Sequence, residues 1–146
     1  MAWSSRIVLL LALTGCGDAV PSICDRPSTE QPVAYTDGCT NPADGVYLSA
    51  GYHGETSCGN AHGGLLHFPG GRQYRFSHEL SCPTLWTNFE VYLSFERDGL
   101  TSGSIAPAAG NQAQLTDMDE NTITILNASC VEYWMLIRVW CSEPPP

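Results

Sequence analysis

The sequence predicts an all-β fold, a single small antiparallel domain of about eight strands, meander-like, closed as a barrel or folded as a sandwich and stapled by three disulfides. Three observations predict it. Apolar residues recur with period two rather than 3.6 through most of the chain. Turns rich in Gly and Asp punctuate these runs at short intervals, and no segment has the pattern of an amphipathic helix. The chain also holds seven cysteines without a single C-x-x-C pair.

Taken in order, the first strand is expected at Val46–Tyr52. Leu65-Leu66-His67-Phe68 then meets Pro69-Gly70-Gly71-Arg72, where paired glycines admit the positive φ of a hairpin turn. In the returning strand Tyr74, Phe76, His78 and Leu80 alternate with Gln73, Arg75, Ser77 and Glu79. Across residues 88–97, Phe89, Val91, Leu93 and Phe95 form one face against Glu90, Tyr92, Ser94 and Glu96. Asp98-Gly99 is expected to turn the chain into a shorter strand near Leu100–Ile105. Strands at Gln112–Thr116 and Thr122–Asn127 flank an acidic tip. The last, Val131–Trp140, sets Val131, Tyr133, Met135, Ile137 and Val139 on one face and Glu132, Trp134, Leu136, Arg138 and Trp140 on the other. Its β-branched and aromatic content favours strand over buried helix.

Ahead of this domain, one arginine, Arg6, precedes an apolar run from Ile7 to Leu13. Seven residues rise only about 10 Å as a helix, against roughly 30 Å of hydrocarbon, so the run suits an export signal and not a membrane span. It ends in Leu13-Thr14-Gly15-Cys16, which resembles the lipobox of bacterial lipoproteins: an aliphatic residue, two small residues, then cysteine. The resemblance covers residues 1–16. It implies that residues 1–15 are removed and that Cys16 carries a diacylglycerol, with its new amino terminus acylated as well. Each buried CH₂ contributes about 0.8 kcal/mol, and two or more chains hold firmly. In that family an aspartate directly after the cysteine retains the protein in the inner membrane. Here Gly17 follows and Asp18 comes next, which points to the outer membrane, on its periplasmic or surface face.

The expected organisation is therefore a signal peptide over 1–15, a lipidated cysteine and Pro-rich tether over 16–32, a disulfide-bonded β domain over 33–142 and an extended tail over 143–146. Removing 15 of 146 residues leaves 131, enough for one core. The mature chain has five arginines, no lysine and 15 acidic residues. That balance excludes phosphate-backbone binding to nucleic acid and any lysine-dependent chemistry. With Cys16 assigned to lipid, the six remaining cysteines, Cys24, Cys39, Cys58, Cys82, Cys130 and Cys141, are an even set in an exported chain and are expected to be oxidised. A straight strand between Cys130 and Cys141 would hold them on the order of 35 Å apart, which excludes that pair. Cys58 and Cys82 flank the expected hairpin, so they are the first pair to expect.

Few residues form a recognisable chemical constellation. Asp117, Asp119 and Asn121 offer oxygens at alternate positions, as a calcium loop begins. Thr122 and Ala128 stand where such a loop needs Gly and Glu, and an acidic turn is the simpler reading. His53, His62, His67 and His78 lack metal-ligand spacing. In the expected hairpin His67 and His78 share a face but lie roughly 13 Å apart. No nucleophile elbow, zincin motif or phosphate loop is present. Trp134, Arg138 and Trp140 share one strand face, and exposed they would suit a glycan or a protein partner; covered, they are core. The reading that results is a membrane-tethered, non-catalytic binding or structural module of the cell envelope, with no cofactor. The alternatives are a small extracytoplasmic hydrolase, which would need His53, His62 or His78 to meet a carboxylate in a cleft, and a purely structural lipoprotein.

Overall fold

The computed structural model describes residues 31–41, 45–49 and 64–142. Cys16, Cys24, Cys58, His53, His62, most of the expected tether and the tail lie outside them. Among the described residues ten strands form two sheets: β1 (Val33–Tyr35), β2 (Cys39–Asn41), β3 (Val46–Leu48), β4 (Leu66–Phe68), β5 (Gln73–Ser77), β6 (Thr87–Ser94), β7 (Ala106–Pro107), β8 (Gln114–Met118), β9 (Thr122–Leu126) and β10 (Tyr133–Cys141). One sheet runs β1-β5-β9-β8. The other runs β2-β3-β10-β6-β7, with β4 also on β10. The two pack face to face as a sandwich, and among the described residues no barrel closes.

The core lies between the sheets. Phe76, Ile123 and Ile125 come from the first, and Tyr47, Val91, Leu93, Tyr133, Met135, Ile137 and Val139 from the second. Period-two alternation puts these on the inner faces, as expected for β10. Burying each such side chain contributes roughly 1.5–3 kcal/mol. Phe95 and Val131 depart from that expectation, being 78% and 40% exposed where their strands run out.

β10 is the axis of its sheet. One edge pairs with β6 over its whole length, Trp134 to Cys141 opposite Ser94 to Thr87. The other pairs with β4 at residues 133–135 and with β3 at 138–140. Ser49, fully buried, fills the gap between them: its amide donates to the Ile137 carbonyl at 3.0 Å and the Ile137 amide donates to its hydroxyl at 2.9 Å.

The expected hairpin does not form. β4 belongs to one sheet and β5 to the other, so Pro69-Gly70-Gly71-Arg72 is a crossing between sheets. Gly71 has the anticipated positive φ of 74°. Gly70 is needed for close approach, since a Cβ there would come within 2.7 Å of the Ser129 carbonyl oxygen. That oxygen belongs to the second crossing, from β9 to β10, and buried Asn127 joins the two. Its amide nitrogen donates to the Phe68 carbonyl at 2.9 Å and the Val131 carbonyl at 2.8 Å, while its oxygen accepts from the Ser129 amide at 3.0 Å and hydroxyl at 2.6 Å. Its backbone exchanges bonds with Gly71 and Arg72, at 2.8 and 3.0 Å.

Three further expectations are corrected. The meander gives way to a mixed topology, because β1 runs parallel to β5. The strand expected at Leu100–Ile105 is instead one helical turn, Gly99–Ser102, ended by Gly103 at φ 73°. Glu96 gathers this segment, accepting from the Ser102 and Ser104 hydroxyls at 3.1 Å each, so only Ala106–Pro107 reaches β6. Cys82 bonds Cys141, not Cys58, with Cα atoms 5.9 Å apart. The β6–β10 register places Thr87 opposite Cys141, and a 3-10 turn at Thr84–Trp86 folds Cys82 back beside it. Cys39 and Cys130 are disulfide-bonded as well.

Two measurements test this architecture. Asn127→Ala is expected to lower the unfolding free energy by about 2–4 kcal/mol in urea titrations, because it removes four side-chain hydrogen bonds, three of them buried. Non-reducing peptide mapping should recover Cys82 joined to Cys141. Replacing both with serine should remove about 4 kcal/mol, as expected for a cross-link spanning 59 residues.

Candidate functional site

The even-numbered side chains of β10 point away from the core onto the outer face of the second sheet. Trp134, Arg138 and Trp140 thus share one surface, as their alternation predicts, and both tryptophans are part-buried there instead of lying in the inter-sheet core. The Arg138 guanidinium lies over the Trp140 ring at 4.9 Å and reaches Glu90 at 3.8 Å, while Glu90 accepts from the Tyr92 hydroxyl at 2.9 Å. Stacking of this kind contributes about 0.5–1 kcal/mol at exposed sites, and the half-exposed ion pair adds little of its own.

Nearer the start of β10, Trp134 packs with Leu48, Tyr92 and Ile105 around a small cluster formed by Leu65 and Leu136. Arg97 stands 5.9 Å above its ring and His67 tilts against it at 4.9 Å. His67 Nε2 in turn contacts Glu132 Oε1. A cluster contributed by β3, β4, β6 and a loop is why the alternation alone does not show how deeply Trp134 sits. An open depression of about 260 Å³ lies beside β6, where β7 and the segment after it reach that strand, lined by Phe89, Glu90, Val91, Tyr92, Pro107, Ala108 and Ala113. It was not legible in advance, because Pro107 and Ala108 fall between the strands expected at Leu100–Ile105 and Gln112–Thr116, and Ala113 lies inside the second.

The other candidates fall apart as sites. Asp117 pairs with Arg75 at 3.5 Å. Asp119 closes its own turn, accepting from the amides of Asn121 and Thr122 at 2.8 and 2.6 Å, which holds its carboxyl below the usual range. Asn121 accepts from the Ser81 amide at 3.2 Å. The three oxygens of the calcium reading are therefore committed to different partners, and among the described residues no group of three or more His, Cys, Asp or Glu could hold a metal ion.

His67 and His78 do not share a face. His67 is on the outer surface, whereas His78 is fully buried after the end of β5. β5 stops at Ser77 because Glu79 and Ser81 turn left-handed, at φ 52° and 50°, a conformation costing about 1–2 kcal/mol for such residues. Bonds from the amides of His78 and Cys82 to the Asn121 and Glu120 carbonyls, at 2.8 and 3.0 Å, hold the segment there. His78 Nδ1 accepts from the Leu80 amide at 3.3 Å, and Nε2 is buried without a partner. A histidine so enclosed presents no nitrogen to a cleft, which removes its part in the hydrolase reading.

No protein-family model, curated protein or solved structure matches the chain. Among the described residues no helix is long and apolar enough to cross a membrane.

Burial lowers the His78 pKa from its ordinary 6.5, with Asp119 pulling weakly the other way. The unfolded chain gains this proton at a higher pH than the folded one does. Stability from neutral His78 is complete above about pH 6.5 and is lost as pH falls towards the depressed folded value. Urea titrations at pH 7.5 and 5.5 should show the native protein weakening, with a smaller loss for His78→Asn. An equal loss in both would exclude His78 as the source.

Proposed function

We propose that the chain is a lipid-anchored protein of the cell envelope, its six cysteines beyond Cys16 oxidised as three disulfides, that binds another protein through the outer face of its second sheet and has no catalytic role. The observation that carries this reading is the stacked Arg138–Trp140 pair, set on a strand held along both edges and neighboured by an open depression at β6. Tryptophan and arginine are the residues that most often dominate protein–protein affinity.

Two features favour a protein over a glycan or a small apolar ligand. Guanidinium groups already lie over the Trp134 and Trp140 rings, so a sugar would have to displace them before stacking. At about 260 Å³ the depression falls below the roughly 300–1,000 Å³ of most small-molecule sites and suits a single partner side chain. The anchor is supported by Leu13-Thr14-Gly15-Cys16 and the apolar run before it. An exported location is supported by the Cys82–Cys141 bond, since such bonds persist in oxidising compartments.

Mass spectrometry of the N-terminal peptide from membrane-purified protein is expected to find acyl chains on Cys16; an unmodified thiol removes the anchor. For the binding face, a photo-crosslinking phenylalanine analogue in place of Tyr92 should give one dominant protein adduct in cells. Trp140→Ala should cut its yield at least tenfold, the loss of about 1.4 kcal/mol or more typical of a dominant contact, with little change in thermal midpoint. Adducts of equal yield from position 115, or indifference to Trp140→Ala, would reject this face.

A further inference from the structure

Most exposed large apolar side chains stand at one end of the sandwich, and we propose that this end rests on the bilayer to which the chain is tethered. The inference builds on the anchoring of Cys16 proposed above and adds an orientation to it. Among the described residues the exposed large hydrophobics are Val33, Leu85, Phe95, Leu115 and Val131.

Strand register locates them. Phe95 follows Ser94, which is opposite Trp134 near the start of β10, and its ring meets only that of Tyr133, at 5.4 Å, among the aromatic contacts. Val131 lies two residues before β10. Val33 and Leu115 end one row across the first sheet that passes through Tyr74 and Ile125, and β9 leads from this row directly to the Asn127 crossing. These four therefore border the end where both crossings lie. Leu85 alone sits at the opposite end, in the turn beside the Cys82–Cys141 bond.

The chain also enters the fold here, since β1 begins at Val33, level with the start of β5. Sixteen residues, 17–32, separate Cys16 from that point. A nine-residue strand such as β10 is about 30 Å long. Along the chain, Cys16 is therefore attached on the side of the end bearing Phe95, with the Leu85 end about one strand length further off. The lipid surface is the apolar partner that this geometry supplies, and an aromatic side chain is well suited to its interfacial zone.

Hydrogen exchange read by mass spectrometry tests the orientation. The mature chain from Cys16 is coupled through that thiol to maleimide lipid in phosphatidylcholine vesicles and compared with the same chain, thiol-capped, in solution. Exchange should slow at least fivefold at amides 95–98 and 130–132 on vesicles and remain unchanged at 84–86. Equal rates in both samples, protection at 84–86, or the same protection without vesicles in a sample that sediments as a dimer would each overturn the proposal. Because the coupling is chemical, the vesicle result is independent of acylation in the cell. An unacylated native Cys16 would defeat the anchor and the cellular orientation together, even where this end shows contact with lipid.

Discussion

The carboxamide of Asn127 is the interaction on which the rest of the structure depends. A two-sheet sandwich must carry its chain from one layer to the other, and each crossing takes backbone donors and acceptors out of strand pairing. Both the β4–β5 and β9–β10 crossings lie beside Asn127, whose side chain donates twice and accepts twice, all at 3.0 Å or less. An aliphatic residue of similar size would remove all four bonds, three of which are buried. Because the two crossings are bonded to each other, β4 is set against the start of β10, and the register of the central strand follows from there.

Much of the fold was legible from alternation, most fully in β9 and β10, where inner positions such as Ile123, Ile125, Met135 and Val139 are buried. Layer assignment was not. Leu65 to Leu80 has the local signature of a hairpin, and Gly71 has the expected conformation, yet the partner of each strand is chosen by Asn127 more than fifty residues away. The pairing Cys82–Cys141 escaped for the same reason, being set by the β6–β10 register. At residues 78–82 the alternation continues past the true end of β5, because hydrogen bonds from a distant hairpin tip hold Glu79 and Ser81 in conformations their own preferences disfavour. The shared face of Trp134, Arg138 and Trp140 was readable from period two alone. How far Trp134 sinks was not, since Leu65, Ile105 and Arg97 reach it from other parts of the chain.

The disulfide and Ser49 give the proposed binding face its rigidity. β10 has partners on both edges, a hydroxyl replaces a missing ladder bond at Ile137, and the Cys82–Cys141 bond secures the last residue of the strand. Side chains rooted on such a strand lose little freedom when a partner covers them, so more of the contact energy of Arg138 and Trp140 is available for affinity. Phe95 and Leu85 contrast with this, since each projects from a strand end or turn and makes few contacts within the fold. An acidic chain without lysine gains little from keeping a phenyl ring 78% exposed unless something outside the fold receives it. In the proposed orientation the bilayer receives Phe95 and the Arg138–Trp140 face stands side-on to the membrane, so tethering and recognition occupy separate surfaces and do not compete for the same residues.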